Sequence, residues 1–143
     1  MSFEIDLLTA AGQYLDSKGA GRWLTSGSYL ATDTAISIDS LPTTPDRGIA
    51  MSLYDVEDTA GTDSVVGLQL WIRGSKNKAS AKETKDACFD ALHDLQAVTW
   101  AGIPIVRIWR QSGANLGLDG NGRQEISQNY YLQLTRTGPN RTD

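Results

Sequence analysis

The stretch that decides the fold is Ile103–Arg136: IPIVRIWRQ (103–111), SGANLGLDGNG (112–122) and RQEISQNYYLQLTR (123–136). In the last piece Ile126, Tyr130, Leu132 and Leu134 share one parity, with Gln128 among them. Ser127, Asn129, Tyr131, Gln133 and Thr135 share the other. A period of two with one oily and one polar face is the pattern of a half-buried strand in an antiparallel sheet. Residues 103–111, apolar with arginines interleaved, read as the neighbouring strand. The glycine-rich 112–122 reads as the loop between them, and 119–122 as a β-turn.

Upstream, Ile49–Tyr54 (IAMSLY) alternates with Ile49, Met51 and Leu53 on one face. Val65–Arg73 (VVGLQLWIR) puts Val66, Leu68, Leu70 and Ile72 inward and Gln69, Trp71 and Arg73 outward. The Gly/Asp/Thr-rich 55–63 between them makes the pair a hairpin. A short strand is expected at Ala35–Ile38.

Two helices frame these strands. Residues 2–17 have Ser2 as cap, Glu4 and Asp6 in the first turn, and a stripe of Ile5, Leu8, Ala11 (or Gly12) and Leu15. Gly19 and Gly21 end it. Residues 80–97 carry a capping-box pattern, Ser80 with Glu83, and a stripe of Ala81, Thr84, Cys88, Leu92 and Leu95. Phe89 falls beside that stripe, as a core margin or a contact residue. Hairpins with helices set apart imply an α+β fold: an antiparallel-rich mixed sheet of about four to five strands, with two helices packed on one face.

The chain has 143 residues, 40% hydrophobic and 21% charged, with net charge −4. This suits one domain over 1–143, with 18–48 as a long loop or arm and 137–143 as a flexible tail. The acidic balance argues against a dedicated nucleic-acid binder. The lone cysteine, Cys88, allows no intramolecular disulfide and fits a reducing compartment. No run reaches the length of a membrane span, and the N-terminus lacks the basic region of a signal peptide.

Chemistry is sparse. The single histidine, His93, lies on the polar side of the second helix with no nucleophile nearby, and reads as an exposed bystander. One His and one Cys do not make a zinc site. Asp119-Gly120-Asn121-Gly122 resembles a calcium loop, but Arg123 stands where an oxygen ligand is needed. The glycines at 113, 117, 120 and 122 match no phosphate-binding pattern. No catalytic, cofactor or metal site is expected.

Contact residues are easier to nominate. Trp71, Arg73, Asn129 and Tyr131 fall on strand parities facing away from the inferred core, and Arg107 lies on a strand beside them. Aromatics and Arg on an open sheet face suit a protein partner, and also base stacking in an RNA-binding sheet; the charge favours the protein. Trp23 and Tyr29 on the arm, Phe89, and Leu116 in the glycine-rich loop complete the set. The arm's aromatics either meet a partner or fold back on the core.

The order of these pieces resembles the tail terminator, or minor capsid (tail-completion), proteins of long-tailed bacteriophages. The resemblance spans roughly residues 3–136. Its most specific parts are Gln69-Leu70-Trp71-Ile72-Arg73-Gly74 before a helix, and Arg123-x-Glu125-x-Ser127-x-Asn129-Tyr130 in the last strand. It implies a structural virion protein without enzymatic activity. Such a protein would form a homo-oligomeric ring, usually of six copies, that caps the tail tube, ends tail growth and presents the head-joining surface. Its implied partners are itself, the tail tube protein and a head-completion or neck protein. DNA would pass through the lumen without specific binding. The implied location is the tail–neck region of the virion, and the host cytoplasm during assembly. Six domains of this size, each about 38 Å across by the radius-of-gyration scaling, would leave a lumen about as wide as one of them. Other neck or connector proteins, and a ferredoxin-like RNA- or ligand-binding module, are the competing readings.

Overall fold

The computed structural model of the chain describes residues 2–141. Among these residues, two helices and six strands run in the order α1 (Phe3–Ser17), β1 (Ala35–Ile38), β2 (Gly48–Asp58), β3 (Asp63–Arg73), α2 (Lys78–Leu92), β4 (Gln96–Trp100), β5 (Ile103–Leu118) and β6 (Gln124–Thr135). They build one sheet in the order β1-β2-β3-β6-β5-β4. β1 pairs with β2 in parallel and every other pair is antiparallel. The α+β class agrees with the sequence; the strand number is six rather than four to five.

The expected parity holds in the centre of the sheet. Val66, Leu68, Leu70 and Ile72 of β3 are buried. They sit in register with Leu132, Tyr130, Gln128 and Ile126 of β6, which are buried on the same side. Both helices pack on that side. α1 lies against β1, β2 and β4, and α2 against β3, β5 and β6. Burial of these aliphatic side chains is the main driving force for the fold.

α1 begins as the sequence implies. Ser2 Oγ accepts from the Ile5 amide at 3.2 Å. At the other end Lys18 caps the helix and Gly19 follows at φ +77°. The Gly19 amide donates to Asp16 and the Ala20 amide to Leu15, the paired bonds of a Schellman ending. The buried stripe is Leu7, Leu8, Ala11, Gly12 and Leu15. Ile5, expected inside, is 47% exposed. Leu7 and Gly12 face inward instead, and the Trp23 ring covers Gly12.

Four element boundaries differ from the sequence expectation. α2 starts at Lys78 with Asn77 as cap, its side chain accepting from the Ala79 amide at 3.0 Å. Ser80, the expected cap, instead donates to the Asn77 carbonyl and accepts from the Ser75 amide. The helix stops at Leu92, and 96–100 is strand β4 rather than a last helical turn. No glycine marks that stop: Asp94 takes the left-handed conformation at φ +65°. The two-residue hairpin to β5 is Ala101-Gly102, both at positive φ, a type I′ geometry lacking the usual Asn or Asp.

The third difference is the largest. Ser112–Leu118 continues β5 and pairs with β6 down to Leu118–Gln124. Only 119–123 turns, tied by Asp119 Oδ1 accepting from the Asn121 and Arg123 amides at 2.9 Å each. The glycines of this stretch serve the strand. Gly113 lies under Gln128, whose amide nitrogen would be 2.1 Å from an added Cβ. Gly117, at φ +86°, sits at a register shift, as a β-bulge requires. Likewise β2 runs on to Asp58, so the 55–63 turn is shorter than expected.

Candidate functional site

The face of the sheet turned away from the helices is open, and its residues follow from the register. Tyr54 of β2 pairs with Gly67 of β3, Gly67 with Tyr131 of β6, and Tyr131 with Trp109 of β5. These positions form a row across four strands. The Tyr54 ring lies over Gly67, where an added Cβ would fall 2.0 Å from its Cζ. Trp109 meets Tyr131 edge-on at 5.8 Å between centroids. Arg107 stands over the Trp109 ring at 5.3 Å, and its Nε donates to Asp94 at 2.9 Å. Burial, and after it the nearby Tyr131, pushes the Tyr54 phenol above its ordinary value.

Beside this row runs a polar one: Ser52, Gln69, Asn129 and Ser112 in register. The Asn129 side chain donates to Ser112 Oγ at 3.1 Å. Next comes Trp71, 38% exposed, with Nε1 donating to Glu125 at 2.7 Å. The open face therefore offers aromatic surface next to hydrogen-bonding groups. That mixture is enriched at protein interfaces.

Four nominated residues, Trp71, Arg107, Asn129 and Tyr131, are brought together on this face. Leu116 is exposed on the distal part of β5 rather than in a loop. Phe89 lies on the helix side, stacked on His93 at 4.6 Å with the Arg110 guanidinium 4.4 Å from its ring centroid. His93 is exposed, and its Nδ1 accepts from the Arg110 amide at 3.1 Å.

Arg73 is placed otherwise than expected. It points to the outer side but is only 6% exposed, because the 42–46 loop closes over it. It donates to the carbonyls of Pro42 (2.5 Å), Pro45 (2.9 Å) and Asp46 (2.7 Å). Burial, then the neighbouring Arg123, lowers its pKa from the ordinary value. Arg123 joins it, donating to Thr43 at 2.9 Å and to Asp119 at 2.8 Å. Those donors are engaged within the chain.

The arm aromatics also turn inward. Trp23 packs against the core above Gly12, and its amide donates to Asp16 at 2.8 Å. Tyr29 donates its hydroxyl to the Ile36 carbonyl at 2.9 Å. In the tail, Arg141 donates to the carbonyls of Gly61 (2.5 Å) and Asp63 (2.7 Å), and so ties 138–141 to the β2–β3 turn; 142 and 143 lie outside the described residues. Among the described residues no three His, Cys, Asp or Glu side chains gather to hold a metal, and no helix is long and apolar enough to cross a membrane.

Two members of the aromatic row, Tyr54 and Trp109, are not among the sequence nominees. Tyr54 shares parity with Ala50 and Ser52, opposite Ile49 and Met51, so the period of two contained that information. Trp109 was masked by the register shift between Ile105 and Arg107, which changes the face of 107–110 until a second shift between Arg110 and Ser112.

A profile of the family described as bacteriophage tail terminator protein matches residues 14–136. The chain belongs to that family. It is accordingly a structural protein of the phage tail, a component of the virion. No curated protein matches its sequence. Among solved structures, a chain of the "Virion of native gene transfer agent (GTA) particle" superposes with a TM-score of 0.60 at 15% identity, covering 89% of this chain and 97% of its own. At that identity the likeness is one of fold.

Proposed function

We propose that this protein terminates the tail: copies form a ring on the end of the finished tube, stop its growth and present the surface that joins the head. The family match over 14–136 carries this reading. The open face supports it, because a terminator needs a surface for proteins rather than a pocket for substrate. Trp71, Tyr131, Asn129 and Arg107, with Tyr54 and Trp109, are the proposed contact residues there. Leu116 is a second proposed contact, on the free end of β5. The whole chain acts as one domain, at the tail–neck region of the particle and in the host cytoplasm before it. DNA passes the lumen without specific binding, in keeping with a net charge of −4.

The test is light scattering of the purified protein with and without its tail-tube protein. A concentration-dependent oligomer that co-sediments with tube ends is expected. A strict monomer that ignores tubes contradicts the reading. Replacing Trp71 and Tyr131 together by Ser should weaken co-sedimentation at least tenfold while leaving the far-ultraviolet circular dichroism unchanged.

A further inference from the structure

Two strand edges lack a partner strand along much of their length. β1 covers β2 only along Gly48–Met51, so the outer edge of β2 from Ser52 to Asp58 is open. β4 pairs with β5 only between Ile103 and Arg107, and the Leu95 carbonyl and His93 extend that cover to Arg110. From Gln111 to Leu118 the outer edge of β5 is open, and every residue there is exposed. The strand order puts β2 and β5 near opposite margins of the sheet. The antiparallel register puts their open stretches at opposite ends of it.

The two edges differ in charge: the β5 stretch 111–118 bears none of its own, and the basic Lys82 and Lys85 of α2 stand beside it. The β2 edge bears Asp55, Glu57 and Asp58, with Val56 38% exposed among them. Asp58 accepts from Ser64 at 2.7 Å and pairs with Arg141 at 3.8 Å, while Asp55 and Glu57 have no hydrogen bond or ion pair among the described residues. On the helix side of β5 and β6 a cleft of about 350 Å³ lies against α2 and reaches Gly113, Ala114 and Asn115 of the 111–118 stretch. Lys82, Lys85 and Arg110 line it with one acid, Asp86, over a floor that includes Ile126 and Gln128, and Arg110 donates to Gln128 at 3.3 Å.

We propose that the acidic open edge of β2 in one copy seats against the open edge of β5 in the next copy, beside Lys82, Lys85 and Arg110. The proposal rests on the ring reading above and says which surfaces close the ring. The occupant is a second copy because both complementary edges belong to the same chain and lie near opposite margins and at opposite ends of the sheet. A contact of this kind is head-to-tail and either closes into a ring or propagates. Strand addition satisfies edge amides and carbonyls that otherwise invite aggregation, and the charges select the register. Salt should therefore weaken the contact.

Charge reversal tests it on the full chain. One variant combines Lys82→Glu with Lys85→Glu; the other combines Asp55→Lys with Glu57→Lys. All four side chains lie at the surface or half-buried, and a thermal melt confirms that each variant folds. Each variant alone should associate at least tenfold more weakly than the unmodified protein by light scattering. An equimolar mixture should recover association, since acidic and basic edges then alternate. Amides of 111–118 should gain protection from hydrogen exchange on assembly. Undiminished association of either variant, or a mixture that fails to recover, overturns this interface while the ring reading stands. Unmodified protein that stays monomeric, even with tail tubes, defeats the ring reading itself.

Discussion

Arg73 shows how a single side chain can hold a long irregular segment. The loop 42–46 is rich in Pro and Thr and forms no ladder of its own, so its inward carbonyls need donors from elsewhere. Arg73 supplies three hydrogen bonds from a nearly fully buried position, and Arg123 supplies another. Arg73→Ala should lower unfolding free energy by about 2–3 kcal/mol in urea denaturation, because charged donors are removed and carbonyls are left unpaired. Lysine should not rescue it, since it cannot spread donors over three carbonyls in one plane. A second residue-scale expectation concerns pH. Burial pushes the Cys88 thiol up to about 12 and raises the Tyr130 phenol, whose hydroxyl is buried without a partner among the described residues. In the unfolded chain the thiol loses its proton near pH 8.5, while the folded chain keeps it. The unfolded state then binds fewer protons, so stability falls as pH rises from about 9 toward 12, by up to about 1.4 kcal/mol per pH unit for this group. Cys88→Ala should flatten that decline between pH 9 and 11, with the Tyr130 contribution remaining. An identical slope in the variant would contradict the assignment.

At the scale of elements, what was legible and what was not have separate physical causes. The parity of β3 and β6 was readable because both strands are central, with one face fully covered, so every second residue had to be apolar. The first helix was readable from Ser2, Glu4 and Gly19. β4 was hidden because the 3.6-residue spacing of α2 runs on through Leu95, and neither Asp94 nor Ala101 looks like a left-handed residue. The distal half of β5 was hidden because it is exposed on both faces and carries no alternation. Its Gly and Asn residues, which usually mark turns, here lie in the strand, with Asn115 and Gly117 flanking a bulge. Of the proposed interaction surface, Trp71, Asn129 and Tyr131 were readable from parity, whereas Arg107 shares the parity of the buried Ile105. Trp109 required the bulge at Ile105/Arg107, and the burial of Arg73 required the loop above it. The revised start of α2 has its own consequence. Asn77→Ala should cost about 1 kcal/mol in thermal or urea unfolding, as loss of an N-cap does. Glu83→Ala should cost only a few tenths, since no capping box forms around Ser80.

For the whole molecule, the fold separates two jobs. The helix-covered face supplies the core, and the opposite face and the two open strand edges are the surfaces proposed for other chains. A terminator must recognise a tube end without capping the tube too early. Contacts spread over an aromatic face and charged edges suit that task, because each is weak until several engage together. Capping of tube ends is the central claim, and seeded elongation of tail tubes followed by light scattering and electron microscopy tests it most directly. Added in amounts far below the tube protein but matching the number of ends, this protein should stop elongation and leave ring-shaped density at the tips. Tubes that keep growing at the unperturbed rate, with bare ends, would contradict it.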